Sequence, residues 1–324
     1  MNITVLGTGS YGIALALKFH NVKGNNVKLW TKFKDEKESI LKNRINERVL
    51  PGVKIPLDIE VTDDLEKAVS SAKLIVIALP AMFVGDVVKL LKEYYKRDMY
   101  VLIAAKGIDR ESASFVHDVF RKYIKTYKYG VISGPSFAVD MVVDCPIGLT
   151  VASEHRKTRK LVIDSLKQDN LDLEESSDVI GVEICSSIKN IIAIASGMLN
   201  GLGYPESTDA MFLTKSINSI KDMIKKFGGD SKTILTYAGF GDLLLTATSK
   251  KSRNYTYGQM LGAKKSRKEV DDYVCKTTIE GLETLKSIYA MLRRKKIKVE
   301  IIELIHDIVM DELDIEELPK FILK

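Results

Sequence analysis

Proline is scarce in this chain, with 7 among 324 residues, and no stretch rich in Pro, Gly or Ser interrupts it. Chains that stay unfolded are rich in such residues and poor in apolar ones. Here 45% of residues are hydrophobic, so a long disordered linker is excluded. Cysteine is scarcer still. Cys145, Cys185 and Cys275 are odd in number, far apart and without a C-x-x-C. They cannot form a disulfide framework, and reduced thiols point to the cytoplasm. The four histidines, His20, His117, His155 and His306, have no partner at metal-binding spacing, so no metal site is expected. A charge imbalance suited to nucleic acid is also missing. The formal net charge is +6, with both signs interspersed. The densest basic run, Arg293-Arg294-Lys295-Lys296, has no interleaved aromatics. It reads as a solvated helix end, and no nucleic-acid partner is expected. The mild positive charge would still help draw in a phosphate-bearing ligand. No basic and apolar leader precedes Ile3-Thr4-Val5-Leu6, so no signal peptide is expected. Leu74–Gly85 is apolar but broken by Pro80, and Val182–Leu202 carries Glu183 and Lys189. Neither is expected to insert into a membrane.

The length suggests about two domains. In the first half, short β-branched runs alternate with helical periodicity. Strands are expected at Ile3–Leu6, Asn26–Trp30, Leu74–Leu79, Tyr100–Ala104, Gly130–Ser133 and Ile147–Ala152. Helices are expected at Ile13–Phe19, Glu36–Asn46, Leu65–Ala72, Val84–Tyr95, Ala113–Lys125 and Lys157–Gln168. This alternation predicts an α/β, Rossmann-like domain with a mostly parallel, doubly wound sheet over residues 1–178. Beyond Asp178 the strand signals stop. Helical patterns cover Val182–Asn200, Ser207–Phe227, Ser231–Thr248, Tyr257–Leu261, Ile279–Arg293, Ile301–Met310 and Ile315–Ile322. Residues 179–324 are therefore expected to form an all-α domain.

Gly7-Thr8-Gly9-Ser10-Tyr11-Gly12 is a G-x-G-x-x-G directly after a strand and at the opening of a helix. In that context Gly7 permits the tight turn, Gly9 lets backbone approach a pyrophosphate, and Gly12 lets helix and sheet pack closely. The pyrophosphate would sit on the N–H groups at the helix N-terminus. A dinucleotide, NAD or NADP, is the expected cofactor. The second strand ends Leu29-Trp30-Thr31-Lys32 with Lys34 beyond, and no acid stands at its tip to hold a ribose 2′-hydroxyl. Lys32 suits a 2′-phosphate equally well as it suits plain surface. Lys106 ends the next strand but one, and Gly134-Pro135-Ser136-Phe137 ends the strand after that. Both stand where the ligand crevice of such a sheet lies.

In the second half Lys189 lies within a helix that is apolar nearly all round. A buried ammonium is costly unless paired, and desolvation favours its neutral amine, a form suited to proton transfer. A lysine snorkelling through an interhelical gap is the other reading. Asn190 follows it. Gly239-Phe240-Gly241-Asp242 leads into an apolar stretch with Thr246 one turn on, so Asp242 is a candidate partner for Lys189 or simply a helix cap. Ser252-Arg253-Asn254 offers a forked guanidinium with short polar neighbours, a set suited to a phosphate.

Taken in order, Gly7–Gly12, Leu50-Pro51-Gly52, Ala105-Lys106-Gly107-Ile108, Ser133-Gly134-Pro135-Ser136-Phe137-Ala138, Gly181-Val182-Glu183 with Lys189-Asn190, Ala238–Leu243, Thr248-Ser249 with Ser252-Arg253-Asn254, and Glu280-Gly281 resemble the bacterial-type NAD(P)-dependent glycerol-3-phosphate dehydrogenases over nearly the whole chain. The resemblance implies an oxidoreductase that interconverts dihydroxyacetone phosphate and sn-glycerol 3-phosphate and supplies phospholipid synthesis. It implies that Lys189 is the proton acceptor, with Lys106 and Asp242 as catalytic companions. Gly134, Ser136, Asn190, Thr246, Ser252, Arg253 and Asn254 would line the phosphorylated substrate together with Lys106 and Asp242. Gly7, Gly9, Ser10, Tyr11, Gly12, Lys32, Lys106, Ala138, Arg253 and Glu280 would belong to the cofactor site. Asn200-Gly201-Leu202-Gly203 stands where the family often has Asp-Gly-Leu-Gly, Lys215 near a common Arg, and Ala105 at a usual Ser. A β-hydroxyacid dehydrogenase, a ketopantoate reductase and a non-catalytic NADP(H) sensor are the alternatives. A homodimer is expected, since the helical half has apolar surface to spare.

Overall fold

The computed structural model describes residues 1–310 and 312–323. Its strands, in chain order, are β1 (Asn2–Leu6), β2 (Asn26–Trp30), β3 (Glu60–Thr62), β4 (Leu74–Ile77), β5 (Tyr100–Ile103), β6 (Ile108–Asp109), β7 (Ser114–Phe115), β8 (Tyr129–Ser133), β9 (Ile147–Ala152) and β10 (Leu171–Ser176). The first helices are α1 (Ser10–His20), α2 (Lys34–Asn43), α3 (Leu65–Val69), α4 (Ala81–Leu91), α5 (Val116–Tyr123), α6 (Ala138–Met141) and α7 (Arg156–Leu166). Those that follow are α8 (Val179–Gly201), α9 (Glu206–Lys226), α10 (Asp242–Thr248), α11 (Arg253–Gly262), α12 (Arg267–Lys276), α13 (Glu280–Lys295), α14 (Glu300–Val309) and α15 (Glu317–Leu323). The chain divides into two compact units, residues 1–106 with 116–179, and residues 107–115 with 180–324.

The first unit is a doubly wound sheet. Its strand order is β10-β9-β8-β5-β4-β1-β2-β3, and the run from β3 to β8 is parallel throughout. β9 is antiparallel to β8, and β10 runs parallel to β9. Parallel strands covered on both faces need apolar side chains in both directions. The Leu-Ile-Val-Ile of β4 is accordingly buried at every position. Ile3 of β1 faces Val27 of β2 on one side and Leu74 of β4 on the other. The strand order therefore reverses beside β1, so ligand is expected at the carboxyl ends of β1 and β4. Ile13, Ala14, Leu15 and Phe19 of α1 pack with Val5, Leu29 and Val76 to form the core beneath that point.

Sequence periodicity missed β3 and β10. β3 has only three residues, and β10 is an edge strand whose Asp-Leu-Glu-Glu pattern is half exposed. Charge on an edge strand discourages pairing with other chains.

The second unit contains the β6–β7 hairpin and all helices from α8 onward. The hairpin lies between two sheet elements in sequence, inside the span read as the first domain. Ile108, Ala113 and Phe115 nonetheless join the helical core, and the Phe115 ring meets Phe227 edge-on at 5.4 Å. Arg294 of α13 donates to the Ala113 carbonyl at 2.9 Å. Part of the expected Ala113–Lys125 helix is thus β7, and α5 starts at Val116. Among the described residues α8 alone is long and apolar enough to cross a membrane, but 94% of its apolar window is buried inside this unit. It is the core helix, enclosed by apolar residues that include Phe212, Leu285, Ile288 and Ile302.

Three other differences have local causes. The helix expected over Ser231–Thr248 is a 3-10 turn at Ser231–Leu235, a π-helical turn at Tyr237–Gly241 and then α10. Thr236 caps the π turn, and a Cβ on Gly239 would lie 2.4 Å from the Ile234 carbonyl oxygen. α11 begins at Arg253 because Ser252 caps it, accepting from the Tyr255 N–H at 3.3 Å. α12 buries only Val270, so it has almost no apolar period, and its sequence signal is the Ser266–Glu269 capping box.

Candidate functional site

The candidate nucleotide cradle is the β1–α1 turn. Gly7 has φ +121°, and its N–H donates to the Trp30 carbonyl at 2.9 Å. A Cβ there would lie 2.3 Å from the Ala78 carbonyl oxygen, and one on Gly12 would lie 2.2 Å from that of Gly7. Both glycines are therefore required by packing. Gly9 is different, because a Cβ there would meet nothing within 4 Å. It leaves open space over the first turn of α1, where no side chain caps the helix. A diphosphate fits such a cradle, since the positive end of the helix dipole and its N–H groups face it.

Beside the cradle, Ser10 and Tyr11 open α1. The Tyr11 hydroxyl stands 3.4 Å from Ser136 Oγ, and Ser136 donates to the Gly134 carbonyl at 3.0 Å. Lys106 Nζ lies 5.1 Å from the centre of the Tyr11 ring. β1, β5 and β8 thus bring Tyr11, Lys106 and Ser136 together at their carboxyl ends. Gly134 is held tight, as a Cβ would lie 2.5 Å from the Gly148 carbonyl oxygen. Ala138 opens α6 and packs on the core of this unit, and Lys32 is exposed just past β2.

One acid near the β2 tip escaped the sequence reading. Glu36, in the first turn of α2, reaches back to accept from Thr31 Oγ1 and Thr8 Oγ1, each at 2.6 Å. Asn46 Nδ2 and Arg48 Nη2 also donate to it, at 3.0 and 3.1 Å. Burial pushes this carboxyl upward, but the hydrogen bonds from Thr31, Thr8, Asn46 and Arg48 outweigh it and hold the group below the usual carboxylate range. No local signal marked it, because Glu36 sits among Lys34, Asp35, Lys37 and Glu38 in a charged segment.

In the helical unit, Lys189 of α8 pairs with Asp242, the first residue of α10, and both are buried, at 6% and 1% exposure. The partnership offered as one reading of the sequence is thus present. Thr246 Oγ1 donates to the Asp242 carbonyl at 2.6 Å, tying the first turn of α10. The π turn ahead of Asp242 sets where α10 starts, an arrangement often met at functional sites.

Asn190 and Asn254 join three helices. Asn254 Nδ2 donates to Asn190 Oδ1 at 3.1 Å, and Asn254 Oδ1 accepts from the Gly281 N–H at 2.9 Å. The Asn254 amide therefore clasps α8, α11 and α13. Ser252 and Arg253 occupy the cap and first turn of α11, and Arg253 Nη2 lies 3.7 Å from Glu280 Oε1 at the head of α13. The α8–α11 contact is unusually close. Cβ atoms on Gly197 and Gly201 of α8 would lie 2.1 and 2.3 Å from α11 carbonyl oxygens. Cβ atoms on Gly258 and Gly262 of α11 would lie 1.8 and 2.1 Å from those of α8. Backbone against backbone fixes the register of the two helices that carry Lys189-Asn190 and Ser252-Arg253-Asn254.

Comparison with known proteins agrees with this geometry. Residues 2–159 match the model of the NAD-dependent glycerol-3-phosphate dehydrogenase N-terminus, and residues 178–320 match that of its C-terminus. This chain belongs to the NAD-dependent glycerol-3-phosphate dehydrogenase family. A glycerol-3-phosphate dehydrogenase [NAD(P)+] of a Thermoanaerobacter species is 35% identical over 96% of this chain and 93% of its own length. That of Clostridium acetobutylicum is 34% identical over 89% and 86%. The solved glycerol-3-phosphate dehydrogenase of Coxiella burnetii superposes with a TM-score of 0.93 at 29% identity, covering 100% of this chain and 98% of that one. A ketopantoate reductase of Ralstonia eutropha shares the fold alone, with a TM-score of 0.60 at 13% identity over the full length of both chains. Within the family frame, the departures at Asn200, Lys215 and Ala105 leave Lys189, Asp242 and Arg253 in place.

Proposed function

We propose that this chain is an NAD(P)-dependent oxidoreductase that interconverts dihydroxyacetone phosphate and sn-glycerol 3-phosphate. The observation that carries this reading is the buried Lys189–Asp242 pair, held by α8 and α10 in the same unit as the capped first turn of α11 with Arg253. When bound, the dinucleotide accepts or delivers the hydride at C2 of the substrate. In the reductive direction the Lys189 ammonium donates the proton that the C2 oxygen needs. In the oxidative direction the neutral Lys189 amine takes the C2 hydroxyl proton. Asp242 orients Lys189 and keeps a buried cation paired. Arg253 supplies a forked guanidinium for the phosphate, aided by Ser252 and by the N-terminal dipole of α11. Asn190 and Asn254 set the geometry between these groups. Lys106, Gly134, Ser136 and Thr246 line the substrate. Gly7, Gly9, Ser10, Tyr11, Gly12, Lys32, Ala138, Arg253 and Glu280 serve the cofactor. Supply of glycerol 3-phosphate to phospholipid synthesis, a cytoplasmic location and a homodimeric state complete the proposal. The odd number and wide spacing of Cys145, Cys185 and Cys275 support that location.

The test is the absorbance of the reduced nicotinamide band with dihydroxyacetone phosphate and NADH or NADPH, set against a 2-keto acid. Consumption with the phosphate ester alone supports the reading, and consumption with the keto acid alone overturns it. Lys189→Ala should lower kcat by about 10²–10⁴-fold with the dinucleotide Kd unchanged. A near-normal rate in folded Lys189→Ala protein would remove Lys189 from the chemistry.

A further inference from the structure

The glycine loop that receives the pyrophosphate has little of its own to hold its shape. Gly7 and Gly9 lack side chains, so Thr8 is the only residue between them that can be gripped. It is gripped twice. Its hydroxyl donates to Glu36 Oε2 at 2.6 Å, and its carbonyl accepts from Asn46 Nδ2 at 3.1 Å. The same Glu36 oxygen accepts from Thr31, directly beyond β2. The other oxygen accepts from Asn46 and Arg48, in the segment after α2. Thr8, Thr31 and Asn46 are all buried. One carboxylate therefore ties three separate segments around the loop.

We propose that Glu36 is a positioning residue for the dinucleotide, fixing the Thr8 backbone and the β2 tip without touching the cofactor. The proposal rests on the dinucleotide reading above. A carboxylate has about four acceptor positions, and here all four are occupied by protein donors. Glu36 thus has no lone pair to spare for a ribose 2′-hydroxyl, the task an acid at this strand tip often performs. It supports both forms of the cofactor equally, and discrimination between them falls to exposed neighbours such as Lys32. The ionised state persists into mildly acid solution, because the hydrogen bonds hold this carboxyl below its ordinary range.

The experiment measures NADH and NADPH binding to the whole protein by nicotinamide fluorescence, alongside KM and kcat. Glu36→Ala should raise both dissociation constants about tenfold, equivalent to about 1.4 kcal/mol, raise the cofactor KM in step and leave kcat within about twofold. Glu36→Gln should bind nearly as wild type. Its amide oxygen can accept from Asn46 and Arg48 while its NH₂ donates to the two threonine hydroxyls, which can accept. Thr8→Val removes the hydroxyl link between the loop and Glu36, keeps the Asn46 bond to the residue-8 carbonyl, and should weaken both cofactors about threefold, the scale of one net hydrogen bond. It decides the matter if Glu36→Ala does not fold. Unchanged binding in Thr8→Val and Glu36→Ala would overturn the proposal. So would Glu36→Ala or Glu36→Gln weakening NADH while tightening NADPH, the sign of direct ribose contact. Wild-type protein that binds neither dinucleotide would defeat the cofactor reading itself, and this inference with it.

Discussion

Adding one methyl group at Gly258 should cost both stability and activity. The Cβ of an alanine there would lie 1.8 Å from the Ile194 carbonyl oxygen of α8, an atom of backbone that cannot rotate away. Ordinary contact begins at 3.4 Å, so α8 and α11 must part by more than an ångström. Overpacking of this kind costs about 1–3 kcal/mol. The Asn254–Asn190 bond, 3.1 Å in the native arrangement, would stretch beyond hydrogen-bond range and add roughly 1 kcal/mol. The sum, about 2–4 kcal/mol, should lower the melting temperature by about 5–15 °C, taking a few degrees per kcal/mol for a domain of this size. The same displacement moves Ser252-Arg253 relative to Lys189. Misplacement by about 1 Å costs on the order of 100-fold in rate. Thermal unfolding by circular dichroism and kcat/KM for dihydroxyacetone phosphate read the two effects. Gly85→Ala in α4 is the control, because its Cβ would meet only Val119 Cγ1 at an ordinary 3.5 Å. It should be neutral or slightly stabilising. A Gly258→Ala protein with native melting temperature and native kcat/KM would refute the claim that this crossing fixes the register.

Arg253→Ala should raise the KM for dihydroxyacetone phosphate about 10–100-fold, the value of a charge-assisted hydrogen bond, while the melting temperature holds, because the Arg253–Glu280 pair is about half exposed. Titration with inorganic phosphate as a competitor checks the site directly. Asp209→Asn tests a half-buried carboxyl in the helical unit. Burial raises the Asp209 carboxyl above its ordinary value, against the hydrogen bond from Ser196, which lowers it. A raised folded pKa means that the native state favours the protonated form. Its stabilisation is complete below the unfolded carboxylate value and is lost as pH rises through the folded one. Asn mimics the protonated group, so the variant should melt a few degrees above wild type at neutral pH, with the gap closing as pH falls into the carboxylate range. A gap that widens on acidification would contradict the sign.

Much of the site was legible because its signals are local. An apolar strand followed by Gly7-x-Gly9-x-x-Gly12 announces a cradle, since Gly7 and Gly12 answer steric demands within a few residues or at the neighbouring strand, and Gly9 leaves open space. Lys189 was conspicuous because α8 is apolar nearly all round, and a cation there must find a partner. That the partner is Asp242 was only one of two readings, and three-dimensional packing chose between them. Glu36 went unseen for the opposite reason. Its hydrogen bonds run to Thr8 and Asn46, 28 and 10 residues away, and hydrogen bonds between distant side chains leave no period in a sequence.

What the sequence by itself determined was the alternation of apolar strand and helix, the glycine turn, and the buried core helix with its lone cation. All of these follow from side-chain periodicity and backbone sterics within a few turns. Tertiary structure alone assigned the 107–115 hairpin to the helical unit, broke 231–248 into three turns of different pitch, and committed the Asn254 amide to Asn190 and Gly281. Each of these depends on which distant surface a residue meets. That choice is made by the summed packing of the whole core, which no short window of residues encodes.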